Sequence, residues 1–262
     1  MNGVPVRIKS RKGLALLSYL AVSNKHENRD FLAGLLWPEF DQTRARANLR
    51  RTLYLLNRTP AAHWLESDPE SIGLVPSHEY AIDIVEFANH LKQGTPQDLV
   101  RAVAFYTADF LLSFHLTDSD HFNEWSTLQR EVYRREMLEA LDSLTEHYLV
   151  EREFQQAEQL ARRQLEIDNY RESGWRQLMK ALAENGHRNV ALAEFEKCRK
   201  LLQDELDVEP AAETKALART IRASSESDNA YELTASPLPD APKTSISAAS
   251  EGKQLALSPY RG

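Results

Sequence analysis

Apolar residues recur every three to four positions through most of this chain, a pattern that predicts helices. Leu14, Leu17 and Ala21 mark a first helix that starts at Lys9 or Ser10 and runs to Val22. Phe31, Leu32 and Leu35 mark the inward side of a second, opened by Asn28 as N-cap and ended by Pro38. A third helix spans 41–57 and has two unlike faces. At about 100° per residue, Ala45, Leu49, Leu53 and Leu56 share one stripe. Thr43, Arg44, Ala47, Arg51 and Tyr54 fall on or near the opposite face, flanked by Asn48 and Arg50. Two short strands are then expected, at 63–66 and 71–75, around the turn Ser67-Asp-Pro-Glu70. Further short strands are expected at 5–8 and 80–82, and a helix at 83–91. Helix, helix, basic helix and hairpin is the order of a winged helix-turn-helix domain. Gln93-Gly-Thr-Pro96 then reads as a domain boundary.

From 98 to 222 the pattern is nearly all helical, and it repeats. Leu141 and Trp175 are 34 residues apart, as are Leu144 and Leu178, Tyr148 and Leu182, Ala157 and Ala191, and Ala161 and Phe195. That is the tetratricopeptide period, two antiparallel helices per unit, with small residues where neighbouring helices approach closely. Helices at 98–107 and 121–151 complete the stack, with Asp120 as N-cap of the long one, and a helix at 212–223 caps its other end. The stretch 224–262 is rich in Ser, Pro and Ala without a sustained period, and reads as a disordered linker or tail. The expected fold class is mostly α: an N-terminal winged helix-turn-helix domain at 1–92, then an all-α tetratricopeptide-like domain at 96–223.

Charge divides the chain in the same way. The net charge is −7 over 262 residues, yet residues 1–60 hold eleven Lys and Arg against four Asp and Glu. A head of +7 therefore sits on a remainder of −14. That asymmetry is expected if only the head meets DNA. A single cysteine, Cys198, excludes an internal disulfide and a Cys-based zinc finger, and fits a cytoplasmic protein. No apolar run has the length to span a membrane.

On the third helix the residue types suit a duplex. Arg reaches phosphates or guanine edges, Asn suits adenine, and small residues permit close approach. A solvated surface helix would carry similar charges; the short apolar helix just upstream favours the helix-turn-helix reading. The candidate DNA contacts are Thr43, Arg44, Asn48, Arg50, Arg51 and Tyr54, with Arg11 and Lys12 as phosphate clamps at the start of the first helix. Arg46 and Arg50 lie nearer the flanks, where a phosphate contact and an ion pair with the body are both open. For Tyr54 a phosphate contact and packing on the wing stand level. His115, Asp118, Asp120 and His121 form the one cluster with ligand chemistry, but they lack the fixed spacing of a metal site. Trp125, Trp175, Phe195 and Cys198 read as core. No phosphate-binding loop occurs: Gly252-Lys253-Gln254 lacks both the earlier Gly and the hydroxyl. With no catalytic constellation, no cofactor and no metal expected, the chain is not read as an enzyme.

Several stretches resemble one family in order. Arg11-Lys-Gly-Leu-Ala-Leu-Leu-Ser-Tyr-Leu-Ala21 is similar to the first helix of the antibiotic-regulatory-protein (SARP) family of bacterial transcription activators. Leu35-Leu-Trp-Pro38 and Ala45-Arg-Ala-Asn-Leu-Arg-Arg51 resemble its helix-turn-helix signature. Tyr106-Thr-Ala-Asp-Phe-Leu111 and Phe122-Asn-Glu-Trp125 resemble the opening of its bacterial transcriptional activator domain. Gly186-His-Arg-Asn-Val-Ala-Leu192 and Glu205-Leu-Asp-Val-Glu-Pro210 resemble its last helical hairpin. The resemblance runs from about residue 9 to 222.

It implies a sequence-specific activator that binds double-stranded DNA at direct repeats as a homodimer, with RNA polymerase or a sigma factor as a further partner and no membrane. The chain departs from the family in three ways. At most one strand precedes the first helix. Ala108 and Asp207 stand where Gly is usual. The wing tip carries Asp68 and Glu70. These departures keep open a second class, a tetratricopeptide-like interaction module whose winged helix no longer binds DNA. Ser258-Pro-Tyr-Arg-Gly262 resembles the start of a STAND-type NTPase domain, so a third reading is the regulatory front end of such an ATPase.

Overall fold

A computed structural model describes residues 8–75 and 81–234. Side-chain caps set the first three helices. The Ser10 hydroxyl accepts from the Gly13 amide and opens α1 (Arg11–Ser23), which ends on Asn24 in the left-handed region at φ 48°. After a short strand β1 (Glu27–Asn28), the Asn28 side chain accepts from the amides of Asp30 and Phe31 and opens α2 (Arg29–Leu36). Asp41 does the same for Thr43 and Arg44 at the start of α3 (Gln42–Leu56). The stripe expected on α3 is its buried side: Ala45, Leu49, Leu53 and Leu56, joined by Thr52.

Thr59 and Pro60 then favour a 3-10 turn, Pro60–Trp64, where a strand from 63 was expected. The strand is shorter, β2 (Leu65–Ser67), and pairs antiparallel with β3 (Ser71–Leu74). β1 adds to the other side of β3, giving the order β1-β3-β2. The Asp68 carboxylate closes the hairpin by accepting from the amides of Glu70 and Ser71 and from the Ser71 hydroxyl. Ile8 is not in a strand, and the rest of the strand expected at 5–8 lies outside the described residues. Ala81 and Ile82 are not in a strand either, and Tyr80 lies outside those residues.

One inward assignment and one cap are corrected. Phe31 is 47% exposed, because the eight-residue α2 turns Leu32, Ala33 and Leu36 inward instead. Asp120 lies in the first turn of α6 (Asp120–Val150), whose cap is Ser119, its hydroxyl accepting from the Phe122 amide.

Five of the remaining helices pack in succession with α6: α4 (Asp83–Gln93), α5 (Pro96–Phe105), α6, α7 (Phe154–Ile167), α8 (Glu172–Glu184) and α9 (Arg188–Leu206); α10 (Ala212–Thr234) follows and adds Ala218 and Ile221 to the last core. Positive φ marks their turns at Gly94, Arg152, Gly186 and Asp207. Asp207 takes the left-handed cap at the end of α9 at φ 54°, without the glycine usual at such a position. The residues spaced by 34 meet in the interior: Leu141, Trp175, Leu144, Leu178, Leu182, Ala157, Ala191, Ala161 and Phe195 are all buried. Tyr148 is partly buried against the core of α4 to α6. α10 continues to Thr234, past residue 223 where the expected helix ended, and the rest of the expected tail lies outside the described residues.

The apolar core of α1 to α3 is not closed by the head alone. Leu116 and Phe122 belong to the same buried cluster as Leu16, Leu20, Leu32, Leu36 and Leu49. A second cluster joins α4, α5 and α6, and a third joins α7 to α10 around Trp175, Phe195 and Cys198. By their contacts the described residues up to Ala223 form one unit.

Candidate functional site

Docking through Ala45, Leu49, Leu53 and Leu56 leaves the other side of α3 in solvent. Thr43, Arg44, Ala47, Arg50, Arg51 and Tyr54 are exposed, and Asn48 is half-buried. Arg44, Ala47, Asn48, Arg51 and Tyr54 follow one another at three- and four-residue spacing, so they share a face.

The arginines of this helix are in different electrostatic states. Arg46 grips Asp30 of α2 with two hydrogen bonds, Nη2 to Oδ2 at 2.6 Å and Nε to Oδ1. Gln42 donates to the same carboxylate. The hydrogen bonds from Arg46 and Gln42 hold the Asp30 carboxyl below the usual range, and donation to Asp30 raises Arg46. Arg44 lies 3.5 Å from Asp41 in an exposed pair of little strength. Arg58, two residues beyond the end of α3, lies 5.7 Å over the Tyr54 ring and donates to its hydroxyl at 3.3 Å. The side chains of Arg50 and Arg51 make no hydrogen bond or ion pair among the described residues.

The structure does not bring Arg11 and Lys12 onto this face. Arg11 donates to the His115 carbonyl and lies 4.9 Å over the Phe114 ring. Lys12 donates to the Leu36 carbonyl, pairs with Asp118 at 2.7 Å, and its side chain is 15% exposed. Both are engaged by the segment that leads into α6. Sequence reasoning missed Ser119, whose hydroxyl donates to the Leu35 carbonyl at 2.6 Å besides capping α6. The available signal was a Ser directly ahead of Asp120, a better cap position by one residue.

At the hairpin, Arg29 donates to the Asp68 carbonyl at 2.7 Å, and His26 lies 3.4 Å from Glu66. The turn hydrogen bonds, that of the Ser71 hydroxyl first, hold the Asp68 carboxyl low, so the tip stays anionic. Cys198 is fully buried, and burial pushes its thiol up to about 12, with Glu172 adding to the shift. Among the described residues no three His, Cys, Asp or Glu side chains are grouped to hold a metal ion. Among them, too, no helix is long and apolar enough to cross a membrane.

No curated protein matches the chain. Among solved structures it is similar to Mycobacterium tuberculosis EmbR in complex with a low affinity phosphopeptide, with a TM-score of 0.56 and 20% identity. The alignment covers 89% of this chain, which spans 66% of the EmbR chain, and the likeness is one of fold. The family described as "Bacterial transcriptional activator domain" matches residues 85–222. Because that match takes in more than half of the residues, the protein belongs to the bacterial transcriptional activator domain family, a family of transcription regulators.

Proposed function

We propose that the chain is a sequence-specific DNA-binding transcription activator that lays α3 in the major groove. The carrying observation is the exposed face of α3, where the side chains of Arg50 and Arg51 stand without partners among the described residues in a chain of this family. The element order supports a winged-helix head: α1, β1, α2, α3, then a hairpin whose sheet β1 completes. In this reading residues 1–92 are the DNA-binding domain and 96–223 a tetratricopeptide-like domain for partners.

Arg51 is at the centre of the face and reads a base edge. Thr43, Arg44, Asn48, Arg50 and Tyr54 contact bases or phosphates around it. Arg46, neutralised by Asp30, contributes little. Arg11 and Lys12 act in holding the head to the body, so their loss lowers stability before it lowers affinity. Direct repeats, a homodimer on DNA and contact with RNA polymerase or a sigma factor are what the family resemblance adds.

The test is selection of bound sequences from random DNA, followed by mobility shifts on the selected site at several salt concentrations. Retention at low salt should fall steeply as salt rises, because phosphate contacts release counterions. Arg51→Ala should cost about 1–3 kcal/mol on the selected site and relax specificity, and Arg46→Ala much less. No retention at low salt would sink this reading.

The outcome would then favour a second reading, a protein-interaction module whose head no longer binds DNA. The anionic hairpin tip at Asp68 and Glu70 and the engaged Arg11 and Lys12 speak for that alternative.

A further inference from the structure

We infer that Asp118 and Ser119, which precede α6 in the helical region, are positioning residues for α3. They fix the direction in which the basic head is presented by the rest of the chain. Helix α2 ends on Leu35 and Leu36, whose carbonyls have no partner within the helix, as at any helix C-terminus. The segment ahead of α6 helps to satisfy them. Ser119 Oγ donates to the Leu35 oxygen at 2.6 Å. Lys12 Nζ donates to the Leu36 oxygen while Asp118 holds that ammonium at 2.7 Å. The segment thus caps α2, and α3 begins only a short turn later at Gln42. Holding the end of α2 holds the start of α3.

Apolar contact joins the same surfaces. Phe122 is fully buried in the core of the head, and the Tyr19 and Trp125 rings lie 4.7 Å apart. Apolar burial is non-directional and keeps two surfaces together without fixing their angle. Hydrogen bonds weaken steeply off axis, so the ties at Leu35 and Leu36, beside that of Arg11 to the His115 carbonyl, set that angle. The angle has leverage. Ser119 also caps α6, a helix of 31 residues and therefore about 46 Å long. A small tilt at its first turn becomes a large displacement at its far end, where α7 packs.

The inference rests on the DNA reading only for its use; the geometry is tested without DNA. Spin labels are placed on Ala47→Cys in α3 and Val190→Cys in α9, both exposed positions. Cys198 is buried with a raised thiol pKa and stays unlabelled in the folded chain. Pulsed electron-electron resonance on the full chain should give one narrow distance distribution. Asp118→Asn combined with Ser119→Ala should widen or split it, while far-ultraviolet circular dichroism shows the helices intact. If the double variant does not fold, Asp118→Asn alone carries the test, because Asp118 is a half-exposed side chain outside the core.

Affinity of the folded variant for a single selected site should stay within about twofold of the parent, since neither residue lies on the exposed face of α3. A distribution as narrow in the folded variant as in the parent would overturn the inference, since packing and the remaining Arg11 hydrogen bond would then hold the head without Asp118 and Ser119. A broad distribution in the parent would overturn it too. Failure of every form to bind DNA would remove the proposed function and leave the distance result standing.

Discussion

Truncating Phe122 should destabilise the head, although Phe122 stands far along the chain from α1 to α3. The ring is fully buried, and its neighbours are Phe114 at 6.1 Å and Trp125 at 5.3 Å between centroids. Replacing a buried Phe by Ala costs about 3–5 kcal/mol, from lost transfer energy plus the cavity left behind. Two aromatic neighbours place Phe122→Ala in the upper part of that range, about 4 kcal/mol, since each such pair adds some 0.5–1.5 kcal/mol. For a unit of this size that lowers Tm by roughly 8–16 °C.

Urea denaturation followed by circular dichroism measures the loss, and amide exchange locates it. Exchange should quicken in α1 and α2 as well as in α6, because the three share one core. The comparison is Phe31→Ala, where a ring 47% exposed is removed and the cost should stay below about 1 kcal/mol. If Phe122→Ala costs no more than Phe31→Ala, or quickens exchange only in α6, Phe122 is not part of the head's core. The same core makes residues 1–97 alone a marginal folding unit.

Three further outcomes are expected. Trp175→Ala should lose about 3–5 kcal/mol in urea titration, since it removes a buried ring and an indole N–H that donates to the Asn169 carbonyl at 2.8 Å; a loss under about 1 kcal/mol would contradict its place in the core. Cys198 should resist a disulfide reagent at pH 8 in the native chain and react at once in denaturant, because burial pushes its thiol up to about 12; rapid native labelling would refute its burial.

The Asp98 carboxyl is held low by the Thr95 hydroxyl first, and further by His90 and Arg101. A lowered carboxylate pKa stabilises the fold above the unfolded value of about 4, and that contribution is lost as pH falls through the lowered value. Melting curves between neutral and acid pH should therefore show a shallower acid decline for Asp98→Asn than for the parent, and parallel declines would count against it.

The two faces of α3 were legible in the sequence because a helix repeats every 3.6 residues and Asp41 caps it wherever it packs. The 34-residue repeat was legible for a similar reason: each hairpin buries the same positions, so Leu144 and Leu178 are equivalent before any contact is known. Charge asymmetry was legible as a sum. Its distribution was not, because Arg46 and Arg51 look alike in sequence and only the approach of α2 brings Asp30 to one of them.

The closure of the head by Leu116 and Phe122 was hidden as well, together with the fate of Arg11 and Lys12. Arg11 meets a carbonyl 104 positions away, and no local period reports on such a partner. Periodicity and caps act within a few residues and write the dry side of each helix. Which dry sides meet, and which charges are left free to meet something else, is decided by contacts that exist only once distant segments have packed.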